Sequence, residues 1–483
     1  MSDQEYAISE YPDALKIKEK LDKLVAQPMW ELSNSYKKKV MDWWNTHCLK
    51  SKEIIEKAKK LIPGGVQHNL AFNDPWPLVI TKAEGAYLYD IDGNQYIDFL
   101  QAGGPTLLGS NYKVVQEKVI ELIKECGPVT GLFHEYEYKL AELINQYMPA
   151  VEMFRALGSG TEAAMAAIRV ARVATNKEKI IKGGGAYHGW SDQLLFGMHI
   201  PQSGAAEAAG VPPAVFKNTQ EFIPNDIEYL EKLLKKNQDK GGTACVLVEP
   251  LGGESGTIPV TKDWNKQVAE LCEKYEALLI FDEVVTGFRI GMGGAQGYFG
   301  IKPDLTIFGK IIAGGYPSAG GLGGLEEYMK YVAAGVEGGK KRAYVGGTLS
   351  ANPLSCCAGY WAIKEIARTK AYLKAGEAGD KLIKGLQEII EKYNLPYVAF
   401  NHASICHLEA NGLMNINLMD AVQSSQITSR KQMLHEMGAA YESEGIITLA
   451  GSRIYTSMAD TDEIIKKALE GFDKVLSNVE KPK

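Results

Sequence analysis

Long apolar runs are missing from this sequence: Ala277 to Phe281 is among the longest, far short of the ~20 residues that a membrane-spanning helix needs. The first residues, Met1 to Glu5, are polar and acidic, so neither a signal peptide nor a membrane anchor is expected and the cytoplasm is the expected compartment. A strong charge of one sign is also lacking. Lysine and arginine number 53 against 59 acidic residues, a net charge of −6, which leaves no basic footprint for nucleic acid or an anionic membrane surface. Cysteine is sparse and unpatterned: the seven (Cys48, Cys126, Cys245, Cys272, Cys356, Cys357 and Cys406) contain no C-x-x-C pair. That excludes the usual zinc-site spacing and argues for reduced thiols, without a disulfide framework or a metal. No internal repeat or low-complexity tract breaks the chain. What remains is an ordinary globular mixture, 45% apolar and 23% charged over 483 residues, long enough for two or more domains. The one excess is 50 glycines, about a tenth of the chain where roughly 7% is usual.

Residues 1–50 read as a helical extension with apolar residues at helical spacing, including Trp43 and Trp44, a pattern that must lie on another surface. A helix over Ser51–Leu61 should stop at Pro63-Gly64-Gly65, because proline and glycine end helices. Tyr87 to Phe99 alternates apolar and polar residues about Asp92-Gly93, which predicts a β-hairpin. Residues 51–110 therefore read as the first part of a small domain. Residues 111–352 alternate helices with short apolar strands, at Lys179–Lys182, Thr243–Val248, Ala277–Phe281 and Leu305–Phe308. Continuous apolar strands between helices predict a mainly parallel sheet covered on both faces, an α/β domain. Residues 353–483 read as helices and two further strands, ending in a helix over Asp462–Leu476, and complete an α+β domain built from both chain ends.

In such sheets ligands bind beyond the carboxyl ends of the strands. Three strand ends carry Glu249, Asp282 and Lys310, the first two 33 residues apart and the third 28 further on. One strand-helix-strand unit separates the first pair, so both should emerge at one edge of the sheet. Upstream, Gly158-Ser159-Gly160-Thr161-Glu162 opens an alanine-rich helix, where free amides and hydroxyls could receive a phosphate. It matches neither the Walker nor the Rossmann glycine pattern. Gly183 to Gly185 lead into Tyr187 and His188, an aromatic pair on a strand-tip loop that could face a planar group. Taken singly, these residues have ordinary readings: a helix cap, a snorkelling lysine, a packed aromatic. Together, a phosphate cradle, a stacking ring, a carboxylate for a ring nitrogen and a lysine for an imine meet the needs of pyridoxal phosphate.

The sequence resembles the class III pyridoxal-phosphate aminotransferases of fold type I, and within them the glutamate-1-semialdehyde aminomutase group. The resemblance runs from about residue 51 to 475 on Pro63-Gly64-Gly65, Ser159-Gly160-Thr161-Glu162-Ala163, Tyr187-His188-Gly189, Glu249-Pro250, Asp282 to Arg289, Pro303-Asp304, Gly309-Lys310 and Gly346-Gly347-Thr348. It implies pyridoxal 5'-phosphate as cofactor, with Lys310 as the Schiff-base lysine and proton shuttle and Asp282 facing the pyridine nitrogen. It further implies Val284 and Tyr187 on the two ring faces, His188 and Glu249 beside the cofactor, and Ser159, Gly160 and Thr161 on the phosphate. Thr348 would reach the phosphate of a neighbouring copy, making a homodimer the active unit. The substrates implied are an amino acid or amine with a keto acid or aldehyde, exchanged by transamination; an intramolecular aminomutase or an amino-acid racemase uses the same machinery. Two positions depart from the aminomutases. Val66 to Phe72 lack the arginine that engages the substrate carboxylate, and Glu254 stands where an asparagine near the cofactor's phenolic oxygen is common.

Overall fold

The computed structural model describes residues 5–127, 129, 131–205, 207–335 and 341–482; Met1 to Gln4, part of the polar start noted above, lie outside the described residues. The chain divides into two units: Met1–Leu15 with Lys113–Tyr372, and Lys16–Tyr112 with Leu373–Lys483. The 1–50 extension is thus divided at residue 15, and the helix Pro353–Thr369 counts with the first unit instead of opening the second.

The first unit is built on a seven-stranded sheet. Its strands are β1 (Met153–Leu157), β2 (Lys179–Gly183), β3 (Thr219–Phe222), β4 (Thr243–Val248), β5 (Leu278–Asp282), β6 (Leu305–Gly309) and β7 (Gly320–Gly324), in the order β1-β7-β6-β5-β4-β2-β3. Neighbours from β6 to β3 pair in parallel, whereas β7 is antiparallel to both β6 and β1. The alternation of the strand side chains explains the two covering layers. Cys245, Leu247, Leu278 and Ile280 pack with the alanine-rich helix α1 (Gly160–Thr175) on one face. Val246, Val248, Leu279 and Phe281 pack on the other with Trp264, Val268 and Leu271 of α2 (Trp264–Lys274). Residues 244–248 and 278–281 are therefore apolar without a break, the pattern of a sheet buried on both sides.

Strand β7 is not among the strands expected from the sequence. A Cβ at Gly320 would overlap the backbone of Ser159, and one at Gly321 would overlap the Phe154 ring. This strand is glycine because neighbouring strands and the start of α1 press against it, and glycine leaves no side-chain period by which a strand could be recognised.

In the second unit, Tyr87–Asp90 and Gln95–Asp98 form the hairpin about Asp92-Gly93, with Tyr87 opposite Ile97. Ile80–Glu84 and Ile446–Ile447 complete that four-stranded sheet, so the early hairpin pairs with a strand from near the other chain end. A second sheet joins Val398–His402, Ile405–Glu409 and Arg453–Tyr455. Leu21, Leu24 and Trp44 of the former extension are fully or almost fully buried in the same core as Phe400, Met437 and Phe472, and the Trp44 indole meets Trp76 edge-on at 5.6 Å. Residues 16–50 therefore supply core, where packing on an outer surface was expected. Among the described residues no helix is long and apolar enough to cross a membrane.

Candidate active site

Lys310, Asp282 and Glu249 stand at the carboxyl ends of three adjacent parallel strands, β6, β5 and β4. Register sets their heights: Phe281 pairs with Val248 and Asp282 with Ile307, so Glu249 lies level with Asp282 and Lys310 projects further along. Lys310 begins a short 3₁₀ turn with a left-handed φ of 52°. A lysine in that region costs about 1–2 kcal/mol.

Asp282 is held from two sides. His188, buried, contacts its Oδ2 through Nδ1 at 2.7 Å, and the Val284 amide donates to Oδ1 at 3.0 Å. Burial pushes the His188 ring below its usual pKa, the aspartate opposing this only in part. The ring is then neutral at physiological pH with Nδ1–H donating to the carboxylate, and its Nε2 has no partner among the described residues. His188 thus acts on the site through Asp282.

Glu249 is a backbone organiser. Its Oε1 accepts from the amides of Tyr187 (2.9 Å) and Glu254 (3.0 Å), and its Oε2 from that of Ser255 (2.7 Å). Burial, with the nearby charges of Asp282 and Glu254, pushes its carboxyl up to about 8. Glu254 and Ser255 sit at left-handed φ angles of 54° and 59°, held there by the last two of these bonds.

Ser159 caps α1, its hydroxyl accepting from the Glu162 amide at 3.2 Å. The Glu162 carboxylate in turn accepts from the Gly158 amide at 2.8 Å. Gly160 and Thr161 occupy the first turn, where helix amides lack intrahelical partners and the dipole favours an anion. Val284 joins this turn to the lysine strand. A Cβ at Gly160 would stand 3.0 Å from Val284 Cγ2, and one at Gly309 would stand 2.8 Å from Val284 Cγ1. Gly189 closes on Thr161 in the same way, at a φ of 85°, and the Trp190 amide faces the Thr161 hydroxyl at 3.4 Å.

Tyr187 is 43% exposed, and its ring is stacked on His199 at 5.7 Å with 16° between planes. Sequence reasoning gave His199 no role. It lies in an irregular loop, and what brings it back is Lys182, a fully buried lysine of β2 whose ammonium donates to the carbonyls of Phe196 and Gly197 at 3.0 and 3.2 Å. Burial lowers the Lys182 pKa to about 8. Thr348 lies in an exposed turn; a Cβ on the preceding Gly347 would lie 3.2 Å from Glu162 of the same chain.

The residues fit a planar, phosphate-bearing cofactor. The glycine contacts admit Val284 between helix start and lysine, the open face of Tyr187 is available to a ring, and a positioned carboxylate is backed by a buried neutral histidine.

The aminotransferase class-III family profile matches residues 71–476. The chain is 41% identical over 354 residues, 72% of its length and 81% of the relative, to glutamate-1-semialdehyde 2,1-aminomutase 2 of Lachnoclostridium phytofermentans. It is 37% identical over 438 residues, 89% of its length and 99% of the relative, to glutamate-1-semialdehyde 2,1-aminomutase 1 of Staphylococcus epidermidis. Among solved structures, an omega-transaminase from Sphaerobacter thermophilus superposes with a TM-score of 0.79 at 27% identity, covering 89% of this chain and 97% of that one.

Proposed function

We propose that this chain, which belongs to the class-III aminotransferase family, catalyses amino-group transfer on a small amino acid or amine, with Lys310 as its proton-moving base. The fold is fold type I and the cofactor pyridoxal 5'-phosphate, as in the family. When bound, that cofactor offers an aldehyde to the amino group and a ring that accepts the electrons left by the α-proton. The chain's own residues supply the rest. Lys310 anchors the cofactor and moves a proton at the substrate carbon. Asp282, fixed by His188 and the Val284 amide, presents a carboxylate to the ring nitrogen. Ser159, Gly160 and Thr161 receive the phosphate at the helix start, and Tyr187 and Val284 bound the ring. The observation that carries the reading is the row of Lys310, Asp282 and Glu249 on adjacent strand ends, with Asp282 backed by a buried histidine.

The names of the sequence relatives support an intramolecular aminomutase over the transfer between two molecules preferred from sequence. One observation favours intermolecular transfer: Val66 to Phe72 contain no arginine, and glutamine, histidine or asparagine does not replace a bidentate clamp on carboxylate. On either route, we propose a substrate other than glutamate 1-semialdehyde. The homodimer with Thr348 reaching across stays part of this proposal.

The test is a half-reaction panel. Purified protein should show the visible absorbance of lysine-bound cofactor, and Lys310→Ala should remove that band and lower turnover by about 10³-fold or more. Single amino acids or amines should convert the band to the amino form of the cofactor. A released keto product then marks intermolecular transfer, an isomerised product retaining nitrogen marks an aminomutase, and α-proton exchange with the band unchanged overturns both in favour of a racemase.

A further inference from the structure

Resting on that reading of the site, we infer that His199 is a positioning residue that backs Tyr187 and so sets how firmly the cofactor ring is held. The two rings stack at 5.7 Å and 16°, and Tyr187 is still 43% exposed, so one face is covered and the other is left for a planar ligand. His199 is itself clamped. Its Nδ1 lies 2.9 Å from Glu207 Oε2 and its Nε2 lies 3.2 Å from Glu254 Oε1. Two carboxylates can both be served only by a ring carrying a proton on each nitrogen, and a charged ring on an aromatic face adds a cation–π attraction to the stacking.

The clamp closes a circuit. Glu249 Oε1 accepts from the amides of both Tyr187 and Glu254, while His199 joins the side chains of the same two residues. Backbone and side chain of the stacking tyrosine are therefore tied to one loop by two routes. The loop bearing His199 is in turn fixed by Lys182 through the carbonyls of Phe196 and Gly197, and by Glu221, whose Oε2 accepts from the Gln202 amide at 2.8 Å. Glu254 has a purpose here that an amide would serve less well: a carboxylate holds a protonated imidazole by charge as well as by hydrogen bond.

The test compares holoenzyme of wild type, His199→Ala, His199→Phe and Glu254→Gln. The readouts are the rate at which cofactor is lost on dilution, followed by its fluorescence, and the circular dichroism of its visible band. An aromatic pair contributes ~0.5–1.5 kcal/mol, so His199→Ala should lose cofactor about two- to tenfold faster and show weaker dichroism. His199→Phe, which keeps a ring, should recover most of the retention, and Glu254→Gln should lie between Ala and wild type. Wild-type retention and dichroism in His199→Ala overturn the inference, as does a His199→Phe protein indistinguishable from it. If His199→Ala does not fold, Glu254→Gln carries the test, and wild-type behaviour there overturns the clamp. A wild type that takes up no pyridoxal phosphate overturns the reading of the site together with this inference, whereas normal uptake with an unaffected His199→Ala overturns the inference alone.

Discussion

Glu283 in the first unit and Glu442 in the second are both buried glutamates, and burial pushes both carboxyls above the usual range. Their surroundings differ. Glu283 accepts from the Thr286 hydroxyl (2.9 Å), the amides of Ala295 (2.6 Å) and Gln296 (3.0 Å), and the Gln296 side chain (3.0 Å). Glu442 accepts only from the Asn73 side chain among the described residues, and it borders a cavity of about 330 Å³ lined by Phe72, Leu78, Leu434 and Ile447. Near the strand ends, carboxylates act as templates on which loop backbone is ordered, as Glu249 does for the Glu254 loop. Glu442, by contrast, is buried with little in return. Glu409 repeats that case: its Oε1 has no partner among the described residues, and burial pushes its carboxyl up to about 7 against the opposing charge of Arg453.

The comparison breaks most readily at Glu283. Glu283→Ala leaves one hydroxyl, two amides and a side-chain amide without their acceptor, and each unsatisfied buried group costs about 1–3 kcal/mol. The expected loss is about 3 kcal/mol or more, read from chemical or thermal unfolding. A loss below about 1 kcal/mol would mean that the template description is wrong. A smaller effect is expected at Gly320. Gly320→Ala sets a methyl against the Ser159 backbone, and overpacking of this kind costs about 1–3 kcal/mol. Because Ser159 caps the helix that receives the phosphate, the same variant should also hold pyridoxal phosphate less tightly by equilibrium dialysis. Unchanged affinity would separate the glycine strand from the site.

The parts of this arrangement visible in the sequence are those where side chains alternate or accumulate. Thr243–Val248 and Ala277–Phe281 announce themselves because burial on both faces demands a nearly unbroken run of apolar residues, and their ends point to Glu249 and Asp282. The terminal helix Asp462–Leu476 has the expected bounds because its amphipathic period runs unbroken. Three strands left no such mark. Gly320–Gly324 has almost no side chains, Thr219–Phe222 is a short polar edge strand, and Met153–Leu157 carries Arg155 on a half-exposed edge. His199 was hidden for another reason. Its place depends on Lys182 bonding two carbonyls 14 and 15 residues away, and no local pattern encodes such a bond. The role of residues 16–50 escaped likewise: helical spacing shows that a face must be covered but not that the cover is Met437 and Phe472.

The effect that sharpens the comparison furthest concerns pH. Burial pushes the Glu442 carboxyl up to about 8, while an unfolded glutamate titrates near 4.3. Between those values the folded chain holds a proton that the unfolded chain has released, so stability falls as pH rises through that window and levels off above about 8. Glu442→Gln keeps an acceptor for Asn73 and cannot ionise. At pH 5, where the native carboxyl is protonated, the variant should match wild type within about 0.5 kcal/mol; at pH 8 it should be the more stable, the difference growing as pH rises through the window. The corresponding Glu283→Gln places an amide NH₂ among four donors, so it should be the less stable at both pH values. Parallel pH profiles for the two variants would erase the distinction between a carboxylate that orders its surroundings and one that is merely enclosed by them.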